Sequence, residues 1–345
     1  MAPDLSIPRT AATAVLSLAV SVTAVAGALP APVSAAGASV AAEPGRITTV
    51  VRDGGTGAAV AGVTVHAVSA QERFADLWDA RAASDATGTV VFEGLLPGRY
   101  SFFVQPGDPA HGMQWLGVRG GTGDRDTALV VTAPADGVRT LPEVRLDPAG
   151  AITGTLTEAV SGTPVTAQVS VASMDPLWRE TTPNVAGSGR YTFTGLGPYR
   201  WKLFFSPDGT AGPASTVAAH WSGNAADRRR AHGIPVVAGQ TTVADQLFRT
   251  GTVVSGNAVG GTPDQPVLGP VYAFHASTHE IMAVSDAPDS NRYAVRLLPG
   301  QRVKLCIART WCYPGGADLD HAAAIPVPSR PLVIDFPGPA PNRPE

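Results

Sequence analysis

Three short segments of this chain alternate between two sets of side chains. Tyr100, Phe102 and Val104 are separated by Ser101 and Phe103; Trp201, Leu203 and Phe205 by Lys202 and Phe204; Val303, Leu305 and Ile307 by Lys304 and Cys306. Successive side chains on a strand point to opposite faces, so the first set of each predicts a buried inner face and the second an outward one. Burying each large inner side chain stabilises the fold by roughly 1.5–3 kcal/mol. Val63-Thr64-Val65, Val169-Ser170-Val171 and the run from Val271 to Phe274 read as earlier strands by the same rule. No long stretch has helical periodicity, and Gly and Pro interrupt the chain too often for one.

These segments belong to a repeat with a period of about one hundred residues. Its openings are Gly45-Arg46-Ile47-Thr48, Gly150-Ala151-Ile152-Thr153-Gly154 and Gly251-Thr252-Val253-Val254-Ser255-Gly256, offset by 105 and 101 residues. A Gly/Thr/Pro turn follows each: Gly54-Gly55-Thr56-Gly57, Ser161-Gly162-Thr163-Pro164 and Gly260-Gly261-Thr262-Pro263. The centre of copy one runs from Asp85-Ala86-Thr87-Gly88 through Phe92 to Gly94-Leu95-Leu96-Pro97-Gly98-Arg99-Tyr100. Copy two has Gly189-Arg190-Tyr191-Thr192-Phe193-Thr194-Gly195-Leu196-Gly197-Pro198-Tyr199, and copy three has Asn291-Arg292-Tyr293 through Leu297-Leu298-Pro299-Gly300. This is a turn, a strand, a tight Pro/Gly turn and another strand. A Trp followed by Gly comes next, at Trp115, Trp221 and Trp311. Its recurrence predicts a packing role common to all copies. The expected layout is a signal and linker at 1–42, copies at 43–148, 149–250 and 251–338, and a Pro-rich tail at 339–345. Six or seven short strands per hundred residues without crossover helices predict an all-β chain of tandem sandwiches. The copies abut almost without linkers, which predicts a semi-rigid rod.

The pattern Gly-Val-x-Val, Asp-x-x-Gly-x-x-x-Phe-x-Gly-Leu-x-Pro-Gly-x-Tyr resembles the carboxypeptidase regulatory-like repeat, with its transthyretin-like and collagen-binding B-type relatives. The resemblance covers residues 45–338, and is weaker in copy three, where Asp289-Ser290-Asn291 replaces the Asp-x-x-Gly turn. It implies three immunoglobulin/transthyretin-like β-sandwich domains, near carbohydrate-binding sandwiches in structural classifications. It carries no chemistry, because its residues are turn formers and core side chains. Some adhesin relatives have a Lys–Asn isopeptide bond from the opening strand. Lys202 and Lys304 lie instead on the strand after Pro/Gly, so no such bond is expected.

Composition narrows the setting. Hydrophobic residues are 44% and charged residues 15%, enough apolar material for packed cores. The formal net charge of −3 offers no basic field for nucleic acid. Of 25 Lys and Arg only Lys202 and Lys304 are lysines, a usage that fits a GC-rich bacterial coding sequence. Arg9, an apolar stretch from Ala11 to Ala28, and small residues at Val33-Ser34-Ala35 and Ser39-Val40-Ala41-Ala42 follow the order of a secretory signal peptide. An uncleaved anchor is the alternative, weakened by the Ala, Ser and Thr content. The expected location is secreted and extracellular, with no membrane span after signal cleavage.

Candidate chemistry is sparse. Cys306 and Cys312 are the only cysteines, and export favours a local disulfide over two free thiols. Trp78 and Trp178 occupy matching places in copies one and two, flanked by Asp76 and Asp79 or by Asp175 and Glu180. An apolar ring beside carboxylate acceptors suits a sugar-stacking platform; the alternative is that the rings cap the core. His275 and His279 are four apart, which on a strand is ~13 Å and too far for one metal. The other histidines read as surface positions. Asp124 with Asp126 and Asp318 with Asp320 lack a full calcium ligand set. Gly120-Gly121-Thr122-Gly123 follows a Trp and opens no helix, so it is no phosphate loop. No cofactor, metal or catalytic constellation is expected. The leading expectation is a secreted, non-catalytic binding or spacer protein, with polysaccharide or cell-wall glycan as the ligand class. The alternatives are an extracellular rod or adhesin with a protein partner, and a polysaccharide hydrolase of the amylase kind or its accessory module.

Overall fold

A computed structural model describes residues 45–70, 80–171, 184–185, 189–207, 216–262, 265–285, 292–316 and 319–337. The export segment and Pro-rich tail lie outside the described residues. Chain contacts divide the protein between Ala41 and Ala42, and everything described belongs to the second unit. The described residues are all-β, with short 3-10 turns at Arg125–Thr127 and Arg228–Arg230.

The same strand pairing recurs in each copy. The opening strand, Arg46–Asp53, Gly150–Glu158 or Thr252–Asn257, pairs antiparallel with the central strand, Thr89–Glu93, Arg190–Leu196 or Arg292–Leu297. On its other side it pairs parallel with the closing strand, Val144–Leu146, Gln246–Phe248 or Leu332–Val333. A second sheet pairs Thr64–Ser69 with Arg99–Gln105, Ala167–Ser170 with Phe204–Pro207, and Val271–His275 with Arg302–Ile307. The two sheets of copy one share one apolar cluster, with Ile47, Val51, Val90 and Phe92 from the first meeting Val65, Phe102 and Val104 from the second. In copies two and three the central-strand Tyr191 and Tyr293 donate hydroxyl hydrogen bonds to Ala244 O and Ile334 O, both at 2.8 Å. These bonds tie the central strand to the closing segment.

The inner faces follow the period-two pattern: Tyr100, Phe102 and Val104, then Trp201, Leu203 and Phe205, then Val303, Leu305 and Ile307, enter the cluster of their own copy. The outer faces do not go to water. Phe103 and Trp115, paired across strands with ring centroids 5.0 Å apart, join Val68 and Met113 in the core of copy two. Phe204 and Trp221, 5.2 Å apart, join Ala219 in the core of copy three. The outer faces of copies one and two therefore each complete the core of the following copy. Copy three places Cys306 where the other copies have Phe103 and Phe204, and Lys304 where copy two has Lys202. Its outer face packs Phe274, Ile281, Cys306, Cys312, Leu319 and Ala322 together, so a loop of the same copy closes it.

Trp311 departs from the expected equivalence. It pairs with Ile307 rather than with Cys306, the position equivalent to Phe103 and Phe204, and packs on its own core, close over Gly260. A Cβ at Gly260 would come within 2.2 Å of the Trp311 ring, so the close approach requires glycine. The Gly-rich run of copy one also has a packing reason. Gly120–Thr122 is a strand on the edge of Gln114–Gly117, and a Cβ on Gly121 would strike the Tyr199 hydroxyl of copy two at 2.0 Å.

Candidate functional site

The residues singled out as a sugar platform, Asp76, Trp78 and Asp79 with Asp175, Trp178 and Glu180, lie outside the described residues. Their flanks are described. Ala80–Ala83 returns antiparallel beside Thr64–Ser69, and Asn184–Val185 pairs with Ala167 and Gln168.

What the structure does bring together is a line of charged groups through all three copies. The loop after Trp115 turns at Arg125–Thr127, capped by Asp124, whose carboxylate accepts from the Asp126 amide. The loop after Trp221 turns at Arg228–Arg230, capped in the same way by Asp227, which accepts from the Arg230 amide at 3.1 Å. Short acidic side chains at such positions satisfy amides the turn leaves open. Arg228 is buried between neighbours from both sides: Nη2 donates to Asp126 of copy one and Nη1 to Glu280 of copy three, both at 2.7 Å. Lys202 adds contacts of 2.7 Å to Asp124 and 3.3 Å to Asp126. The second Glu280 oxygen accepts from the Thr278 hydroxyl at 3.0 Å. Burial alone would raise the Asp126 carboxyl, but Arg228 and Lys202 hold it below its ordinary value. The Asp124 and Asp126 pair, considered above for calcium, is thus committed to two cations of the next copy.

Two lysine and histidine expectations change. Lys202 and Lys304 sit on outer strand faces, yet both are largely buried, because those faces are covered. Lys304 Nζ donates to the carbonyls of Leu319 and Asp320, at 2.8 and 3.1 Å. His275 and His279 are the ends of a turn, closed by the His279 amide on His275 O at 2.9 Å, rather than positions along one strand. The two residues are therefore not separated by the ~13 Å that four positions of a strand would span. The rings go to different carboxylates: His275 Nε2 is 3.8 Å from Asp227, and His279 Nδ1 is 3.7 Å from Asp320. Among the described residues no three His, Cys, Asp or Glu side chains cluster as metal ligands.

Two histidines read as surface positions are not. His220 is fully buried against Phe205 and Phe248, and burial pushes its pKa down to about 4. His111 bridges two carboxylates, with Nε2 2.8 Å from Asp53 and Nδ1 2.9 Å from Asp108. Both ring nitrogens can donate only as imidazolium. Partial burial opposes the charge, but these bonds outweigh it and raise the His111 pKa above its ordinary value. The same bonds lower both Asp pKa values.

Beside the Arg228 line a cleft of about 470 Å³ opens between copies two and three. It is walled by Ala226–Arg230 without the buried Arg228, by His275–Ser277 and by Gly300–Arg302. Cys306 and Cys312 form a disulfide across the Arg302–Ile307 and Trp311–Cys312 strands. Sequence reasoning missed Arg228, Glu280 and the cleft. The one signal available was that Asp124-Arg125 and Asp227-Arg228 fall at the same place in their copies.

No protein-family model matches the chain, and no curated protein matches it. Among solved structures, the Bacillus anthracis TIE protein aligns over 85% of this chain at 8% identity and a TM-score of 0.24; this chain covers 50% of it. The minor pilin GBS52 of Streptococcus agalactiae aligns over 60% of this chain and 96% of its own, at 10% identity and a TM-score of 0.23. The shaft pilin spaA of Lactobacillus rhamnosus GG aligns over 60% and 98%, at 9% identity and a TM-score of 0.23. This chain spans about half the length of the TIE protein, and likenesses at this level carry no argument about its function.

Proposed function

We propose that this chain is a secreted, non-catalytic repeat protein that works outside the cell as a spacer with a glycan-binding surface. In this reading residues 1–42 are an export signal and linker. Residues 43–148, 149–250 and 251–338 are three immunoglobulin/transthyretin-like β-sandwich domains of the carboxypeptidase regulatory-like kind. The observation that carries it is the serial use of the outer sheet face: Phe103 with Trp115 and Phe204 with Trp221 are buried in the next copy's core, whereas copy three closes the same face with its own disulfide-tied loop. Stacked repeats need a terminal unit whose outer face is not left apolar, and copy three has that character. Joints built from core side chains hold neighbouring units in fixed relation, which is what a spacer requires.

Polysaccharide or cell-wall glycan is the proposed ligand class, through Trp78 and Trp178 with Asp76, Asp79, Asp175 and Glu180 as hydroxyl acceptors. The test is retention of residues 43–345 on starch, chitin, cellulose and purified cell wall, beside a Trp78→Ala/Trp178→Ala variant. Retention on a glycan that the variant loses is the expected result. Failure to bind any of the four, or equal retention of the variant, overturns the glycan assignment.

A further inference from the structure

We infer that the cleft between copies two and three is a second binding site, for an anionic group, carboxylate or phosphodiester, carried on a glycan chain. It goes beyond the reading above in naming a different site, and borrows from that reading only that the ligand is a glycan. Three arginines converge there from separate segments: Arg229 and Arg230 from the capped turn of copy two, and Arg302 from the start of a copy-three strand. Among the described residues, Asp227 is the one acidic side chain lining the cleft, against three arginines, so the described wall is net positive in a chain of net charge −3.

The fold leaves these cations available. The turn directs Arg228 inward to Asp126 and Glu280, while Arg229 and Arg230 stay exposed. Arg230 is held only loosely by Asp227, at 3.7 Å with about four-fifths of its side chain exposed. Arg302 makes a long contact of 3.4 Å to Ala324 O. Arg229 has no ion pair among the described residues. The cleft floor is already satisfied: Gln301 accepts from the Leu298 amide and donates to Ala226 O, both at 3.0 Å. The guanidinium forks, which suit carboxylate and phosphate oxygens, are therefore the groups left for a ligand. His275 reports the local field. Burial first, then Arg230, Arg229 and His279, hold its pKa below the ordinary value against the opposing pull of Asp227.

The test titrates residues 43–345 at low ionic strength with an oligogalacturonate, a glycerol phosphate oligomer and, as a neutral control, maltoheptaose. At least one anionic oligomer is expected to bind, with affinity falling as salt rises, and maltoheptaose is expected not to compete with it. Arg229→Glu/Arg302→Glu removes two charge-assisted bonds, each worth roughly ten-fold, so the affinity should fall about 100-fold or more. Arg229→Lys/Arg302→Lys should keep most of it. The His275 ring resonances should move to a higher pKa in the bound state. Which oligomer binds distinguishes carboxylate from phosphodiester. Binding of neither, competition by maltoheptaose, or unchanged affinity in the double Glu variant overturns the site. Trp78 and Trp178 are intact throughout, so failure here is separate from failure of the platform.

Discussion

Replacing Arg228 by methionine tests whether the ionic line fixes the three copies to one another. Methionine keeps much of the apolar stem and removes only the charged fork. Glu280 would then remain buried, with 6% of its side chain exposed, and would lose the guanidinium that meets it at 2.7 Å. Breaking a buried pair by removing one partner costs roughly 3–5 kcal/mol, because a charge is left without compensation. Asp126 adds little to that figure: about a quarter of its side chain is exposed, and Lys202 still lies 3.3 Å away. The expected loss is therefore near the lower end, about 3 kcal/mol. Urea denaturation of residues 43–345 measures it. A second variant, Glu280→Gln, and the double variant complete a cycle whose coupling should be about 2 kcal/mol. The double variant should recover much of the loss, since it buries no unpaired charge. A loss within about 0.5 kcal/mol of wild type, as for an ordinary surface substitution, would refute the argument.

His111 gives a prediction in pH. Its folded pKa is raised, so its contribution is complete below the ordinary histidine value and is lost as pH rises through the folded one. Asp53 and Asp108 have lowered values, so their contribution is complete above the ordinary carboxylate value and is lost as pH falls. The difference in Tm between wild type and His111→Asn should thus be largest near pH 5 and shrink above pH 7; a difference that is flat with pH rules out the imidazolium bridge. Cys306→Ala/Cys312→Ala opens a seven-residue loop and should cost about 2 kcal/mol. Limited proteolysis should then cut first between residues 308 and 323, and an unchanged cleavage pattern would show that the disulfide does not hold the closing loop.

The inner faces of the sheets were legible from the sequence because period two is a local property: it needs only that Tyr100, Phe102 and Val104 lie on one strand. The repeat and the Cys306–Cys312 bridge were legible for the same reason, each depending on short spacings. The burial of Phe103, Lys202 and Phe204 was not, because whether an outer face meets water depends on which remote segment docks on it. The Trp311 shift was hidden because a matching Trp in sequence does not fix cross-strand register, which the pairing of Cys306 with Cys312 sets. Arg228 reads alone as a surface cation in a run of three. Its partners lie 102 and 52 residues away, and only the packed joints bring Asp126 and Glu280 within 2.7 Å of it. Local chemistry thus determined the strands and their cores, while the joints, the ionic line and the cleft beside it arose from contacts between copies that no local pattern records.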